Sequence, residues 1–149
     1  MKLLRSTSTE DVLAYIAKRI QGEELNVFLG SPTQKRGVAL IKRLVALLTE
    51  EPFEASKGHF RLRNGSFVRG GYATDSAVLG MQWDIIIIDS MSQLTPDAAE
   101  HFVNTVYPCV KATGSEMIVT HGVSYFDHLW GLREGSPMFP PDSIDMGYD

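Results

Sequence analysis

The sequence holds a single cysteine, Cys109, among 149 residues, so no disulfide can form within the chain. That cysteine usage suits a reducing compartment, and a cytoplasmic location is expected. The setting Val106-Tyr107-Pro108-Cys109-Val110 is apolar and predicts a buried structural thiol. No apolar stretch approaches the roughly 20 residues that a membrane-spanning helix needs, the isoleucine run Ile85–Ile88 included. The first residues, Met1-Lys2-Leu3-Leu4-Arg5-Ser6, turn polar too soon for a signal peptide, and none is expected. There is no excess of basic charge: 14 Lys and Arg against 18 Asp and Glu give a net charge of −4. A global field that draws in nucleic acid is thereby excluded, although a local basic patch is not. The histidines are few, and His121 and His128 with Asp127 lack a zinc-site spacing, as do His59 and His101, so no metal site is expected. Ser90 and Ser92 lack the Gly-x-Ser-x-Gly surroundings of a nucleophile elbow. No internal repeat is visible.

Hydrophobic residues make up 44% of the chain and charged residues 21%, the composition of one ordinary globular domain. Ser8-Thr9-Glu10-Asp11 predicts a helix start, with Val12, Ile16 and Ile20 on its inner face and Gly22 as its stop. Leu25–Leu29 predicts a short strand, Gly30 to Lys35 a loop, and Val38–Leu48 a helix with Ile41, Leu44, Val45 and Leu48 inward. His59–Arg63 alternates apolar and basic residues, and Asn64-Gly65 predicts the turn of a hairpin returning over Ser66–Tyr72. The four isoleucines between Asp84 and Asp89 predict a central parallel strand covered on both faces. Thr95-Pro96 opens a further helix, with Phe102, Val103 and Val106 inward. Met117–Thr120 predicts another buried strand, and Ser124–Leu132 a last helix. Trp83 and Trp130 are expected in packing roles. Residues 136–149 contain Pro137, Pro140, Pro141, Asp142, Asp145 and Asp149 without periodicity, so an extended acidic tail is expected after a domain of residues 1–135. Alternating strands and helices imply an α/β fold: a mostly parallel sheet flanked by helices, with an inserted β-hairpin.

A strand, a turn-rich loop with a lysine and then a helix is the layout of a phosphate-binding loop. Loop amides and a helix N-terminus attract anions, and the lysine supplies charge. Gly30, Ser31, Gln34, Lys35 and Arg36 are the phosphate-binding candidates. A companion strand that ends in an acid ordinarily helps to hold Mg²⁺, and Asp89 is that acid here.

The ordered set resembles the ATPase domain of large terminases, the motors that package DNA into tailed-phage heads. The Lys35 loop comes first, then the Asn64-Gly65 hairpin, the segment Tyr72 to Gly80, and the strand ending at Asp89. The last match is Met117 to Trp130, in which Gly122, Phe126 and Trp130 keep a Gly-x-x-x-Phe-x-x-x-Trp spacing. The resemblance runs from about Asn26 to Gly135 and implies a P-loop nucleotide-binding fold. It also implies that Thr120, His121 and Gly122 stand at the motif coupling hydrolysis to motion.

The departures are as informative. Where the family's loop ends Gly-Lys-Thr/Ser, this chain has Gln34-Lys35-Arg36, so the Mg²⁺-binding hydroxyl is replaced by a cation and Gln34 is expected to crowd the phosphate. Where the family's strand ends Asp-Glu, Asp89 is followed by Ser90, so the base that activates water is missing and Asp89 is vestigial. Glu100 is a remote substitute. The implied function is that of a phage accessory or regulatory factor in DNA packaging or DNA metabolism, located in the host cytoplasm, that binds rather than hydrolyses. ATP or ADP with Mg²⁺ would bind weakly if at all. The partners expected are DNA, a packaging or replication protein, or further copies of the chain. A weak ATPase completed by a partner and a purely structural interaction module are the alternatives. Basic residues cluster twice, at Lys35, Arg36, Lys42 and Arg43 and on the hairpin at Arg61, Arg63 and Arg69, where they are candidates for contacts to DNA or an acidic partner.

Overall fold

The computed structural model describes residues 2–6, 8–120 and 144–145. In chain order the elements are β1 (Lys2–Ser6), α1 (Thr9–Gly22), β2 (Asn26–Ser31), α2 (Gln34–Val45), β3 (Glu54–Ala55), β4 (His59–Arg61) and β5 (Phe67–Tyr72). They continue with β6 (Ile85–Ile88), α3 (Pro96–His101), α4 (Tyr107–Thr113), β7 (Glu116–Thr120) and β8 (Ile144–Asp145). The strands form one sheet in the order β3-β4-β5-β2-β6-β7-β1-β8. From β5 to β8 every neighbouring pair is parallel, whereas β3 and β4 are antiparallel additions at one edge. This is the α/β architecture expected of the sequence. Of residues 136–149, Ile144 and Asp145 pair with Leu4 and Arg5.

Strand β6 lies between β2 and β7, and all four isoleucines are buried. Its alternate residues enter two cores. Ile85 and Ile87 meet Val12, Leu13, Ile16 and Ile20 of α1 and Leu40, Ile41 and Leu44 of α2. Ile86 and Ile88 meet Trp83, Phe102, Val106 and Val110 on the opposite face. Helices therefore cover both faces, the arrangement that an unbroken β-branched strand requires. Helix α1 starts where expected, with the Ser8 hydroxyl accepting the Asp11 amide at 3.1 Å. In α3 the Thr95 hydroxyl caps Ala98, and Pro96 fills the first turn.

Several expectations need correction. The loop expected from Gly30 to Lys35 shrinks to Pro32 and Thr33. Gly30 and Ser31 stay in β2 because β5 pairs with both and β6 also pairs with Gly30. Pro32 follows the last paired residue, and the Thr33 hydroxyl accepts the Arg36 amide at 3.1 Å, so α2 opens at Gln34 rather than Val38 and ends at Val45. The helix after Thr95 is not continuously α: Phe102–Val106 is a π-helical segment between α3 and α4. Phe102 and Val106 are buried there, while the Val103 side chain lies outside the described ones. Cys109 is exposed, not buried, because Val106 and Val110 occupy the inner stripe at i and i+4. Strands β1 and β3 were not anticipated. The helix expected over Ser124–Leu132 and the spacing residues Gly122, Phe126 and Trp130 lie outside the described residues.

The Asn64-Gly65 turn is present, with Gly65 at φ 94°, a left-handed conformation that favours glycine. It joins the antiparallel pair β4 and β5, and β5 is at the same time a full member of the parallel sheet. Helix α2 lies unusually close to β5. A Cβ on Gly37 would come within 2.1 Å of the Gly71 carbonyl oxygen, and one on Gly70 within 2.3 Å of the Gly37 carbonyl oxygen. Glycines at these facing positions let the helix backbone touch the strand backbone.

Candidate functional site

In an open parallel sheet, ligands bind beyond the carboxyl ends of the strands where the winding direction reverses. Here the chain leaves β2 through α2 toward β5 on one side, and leaves β6 through α3 and α4 toward β7 on the other. Helix α2 and the pair α3–α4 pack on opposite faces. The reversal falls between β2 and β6, whose carboxyl ends carry Gly30-Ser31 and Asp89-Ser90.

Asp89 follows the last isoleucine and is 5% exposed. The Thr9 hydroxyl, from the first turn of α1, donates to its Oδ1 at 2.6 Å, and so does the Thr120 hydroxyl from the end of β7. The Ser90 hydroxyl donates to Oδ2 at 3.2 Å, and the Ser90 amide donates to the Thr120 hydroxyl oxygen at 2.9 Å. A buried carboxylate needs such donors, since desolvating it without them costs several kcal/mol. Ser90 has φ 55°, the one non-glycine residue with positive φ among those described, so the backbone is strained immediately after the acid.

Arg36 closes the crevice from the α2 side. Its Nη1 donates to Gln93 Oε1 at 2.5 Å and its Nη2 to Ser90 Oγ at 3.0 Å. The guanidinium is thus one hydroxyl away from the Asp89 carboxylate and brings positive charge to the buried acid. Ser31, at the end of β2, is fully buried, and among the described residues its hydroxyl has no hydrogen-bond partner. The first turn of α2 leaves the Gln34 and Lys35 amides without an intrahelical acceptor.

Comparison with solved structures places this geometry in a known architecture. The chain superposes on the large terminase ATPase domain of Thermus phage P74-26 with a TM-score of 0.65 and 14% identity, over 98% of this chain and 74% of that one. A point mutant of the same domain gives a TM-score of 0.65 and 14% identity, over 99% of this chain and 75% of that one. The fold is that of a terminase ATPase domain. No family model and no curated protein matches the sequence.

A nucleotide with Mg²⁺ fits this crevice poorly. The Asp89 carboxylate already accepts three hydroxyl donors, and the Arg36 guanidinium stands one hydroxyl away from it. The groups there able to donate to an anion are the α2 N-terminus, Arg36 and the Ser31 hydroxyl.

The structure divides the sequence candidates. Gly30, Ser31, Arg36, Asp89 and Thr120 converge at the switch point. Gln34 does not crowd it, because its Oε1 accepts the Tyr72 amide at 2.9 Å and is held against β5. Lys35 is exposed and lines a groove between α2 and the β3–β4 segment, since consecutive helical side chains diverge by about 100°. Glu100 is exposed on α3, on the face away from Thr9 and α1. Arg61 and Arg63 flank the Asn64-Gly65 turn at the opposite, amino-terminal edge of the parallel strands. Arg61 donates to the Gly65 carbonyl and lies 4.9 Å from the Phe67 ring, while Arg63 lies 5.5 Å from the Phe53 ring. Arg69 is exposed on β5. His121 and Gly122 lie outside the described residues. Thr9 and Gln93 were missed; Thr9 was legible only as part of a helix start, and nothing local marks a partner 80 residues away. Among the described residues no cluster of His, Cys, Asp or Glu could hold a metal ion, and no helix is long and apolar enough to cross a membrane.

Proposed function

We propose that this protein is a terminase-like factor that acts by binding, in phage DNA packaging or DNA metabolism, and does not turn over ATP efficiently. The observation that carries the reading is the Arg36 bridge to Ser90 and Gln93 across the switch point. A terminase-like crevice works by positioning a metal and a base against a phosphate. In this chain an internal cation stands beside the acid, and the residue after the acid is a serine that donates its hydroxyl to it. Loss of a general base costs on the order of 10²–10⁴ in rate, and loss of metal positioning adds to that. The retained chemistry is anion attraction by Arg36, Ser31 and the first amides of α2. The partners we infer are DNA or a packaging or replication protein, with Arg61, Arg63 and Arg69 as the candidate contacts to phosphate.

Calorimetric titration of ATP and ADP, with and without Mg²⁺, together with a phosphate-release assay, tests this. Weak, salt-sensitive binding that does not depend on Mg²⁺, with no turnover, is expected. Robust Mg²⁺-dependent hydrolysis that is lost in Asp89→Asn would refute the proposal and favour the alternative of a working ATPase.

A further inference from the structure

We propose that the groove between α2 and the β3–β4 segment is a docking site for an acidic, amphipathic helix of a protein partner. The groove measures about 890 Å³ and runs along the flank of α2 beside the β3–β4 segment, with the core residue Ile41 among its lining. Its apolar lining includes Val38, Ala39 and Val45 on the helix and Ala55 across from them, although a helix on a globular surface ordinarily turns a polar face outward. Lys35, Lys42 and Lys57 stand around it, all exposed. No carboxylate lines the groove, and among the described residues none of these lysines is in an ion pair. Other cations of the domain are committed: Arg43 of the same helix pairs with Glu10, and Arg19 pairs with Glu23 and Glu116. A chain of net charge −4 thus concentrates uncompensated positive charge around one apolar seam.

That combination selects the occupant. Nucleic acid would satisfy the lysines but gains nothing from an apolar floor. A helix lying along α2 uses both. Lys35 and Lys42 are seven residues apart, about 10 Å along the axis, which is the spacing of carboxylates at i and i+7 on a facing helix. Its apolar residues at i+3 and i+4 would then lie against Val38 and Ala39, and one at i+10 against Val45. This inference is independent of the anion reading of the switch point, and its test uses Lys42 and Lys57, which that reading does not need.

The probe is a random library of helical peptides, selected on the immobilised full chain. Selection is expected to enrich sequences with carboxylates at i and i+7 flanking apolar residues. The enriched peptide, measured by fluorescence anisotropy, should bind at least tenfold more weakly to Lys42→Glu/Lys57→Glu and to Val38→Asp, both with unchanged circular dichroism. Failure to enrich acidic amphipathic sequences would overturn the proposal, as would peptide binding indifferent to these substitutions. So would duplex DNA binding that Lys42→Glu/Lys57→Glu abolishes while no peptide is enriched; the lysines would then belong to nucleic acid.

Discussion

Replacing Gly37 by alanine sets two effects of opposite sign against each other. Gly37 lies within α2, where alanine is favoured over glycine by about 1 kcal/mol on helix propensity alone. Its new Cβ, however, would sit 2.1 Å from the Gly71 carbonyl oxygen, 2.5 Å from the Gly71 nitrogen and 2.6 Å from the Gly71 carbonyl carbon. These are backbone atoms of a strand paired on both sides, by β4 and β2, so no side chain can swing away. The helix would have to retreat by more than about 1 Å to regain ordinary van der Waals separation. Overpacking of this kind costs about 1–3 kcal/mol and occasionally more, and an unyielding neighbour puts this site at the upper end. After the propensity gain, a net loss of about 2 kcal/mol is expected, which for a domain of this size lowers Tm by roughly 4–8 °C. Thermal and urea denaturation followed by circular dichroism measure it. Gly22 is the control: it is also helical, and nothing lies within 4 Å of a Cβ built on it. Gly22→Ala should gain up to about 1 kcal/mol. If Gly37→Ala is as stable as the parent, α2 does not pack on β5 as described.

Three further perturbations address the site and the ionic network. Asp89→Asn keeps an oxygen that can accept from Thr9 and Thr120 and should destabilise mildly, whereas Asp89→Ala leaves buried hydroxyls unpaired and should cost a further ~1–3 kcal/mol; equal urea midpoints for the two would contradict the hydroxyl cage. Ser31→Ala removes a buried hydroxyl without a partner, so its denaturation midpoint should stay level or rise while phosphate affinity falls; a clear loss of stability would mean the hydroxyl is satisfied in solution. Burial, then the hydrogen bond to Glu116, raises the pKa of the Tyr15 hydroxyl above the usual phenolic value, so its stabilisation is complete below about pH 10 and is lost as pH rises through the higher folded-state value. Tyr15→Phe should flatten that alkaline limb in pH-dependent melting, and an unchanged limb would assign it elsewhere.

The elements legible in the sequence are those with a local cause. The isoleucine run could only be a doubly covered strand, and the Ser8 and Thr95 caps and the Asn64-Gly65 turn carry their geometry in adjacent residues. Strand β1 had no such signature. It is five residues without alternation, and its position depends on pairing with β7, more than a hundred residues later. Gly30-Ser31-Pro32 read as a loop because its residues favour turns. In the sheet, Gly30 serves close approach instead: a Cβ there would lie 3.0 Å from Ile88 Cδ1 and 3.1 Å from Ala73 Cα. At the candidate site Asp89 was visible as the acid that ends an apolar strand, and Lys35 as a lysine between a strand and a helix. The Arg36–Gln93 bridge and the Thr9 hydrogen bond were not, since both join segments distant in sequence.

The uniformity of β6 has a consequence for how the sheet finds its alignment. A strand normally resists slipping by one residue because the slip turns its apolar side chains to the wrong face. In β6 such a slip would exchange isoleucine for isoleucine through most of the strand, and the two cores would scarcely register the difference. Alignment must therefore be imposed from the ends. At the entry, the Asp84 amide donates to the Asn26 carbonyl at 2.8 Å, and its carboxylate accepts the Asn26 amide at 2.7 Å. At the exit, the Asp89 amide donates to the Gly30 carbonyl at 2.8 Å, and its carboxylate takes the Thr9 and Thr120 hydroxyls. Asp89 thus serves as one of two pins that index an otherwise featureless strand, a role that the side chain fills whatever chemistry takes place beside it.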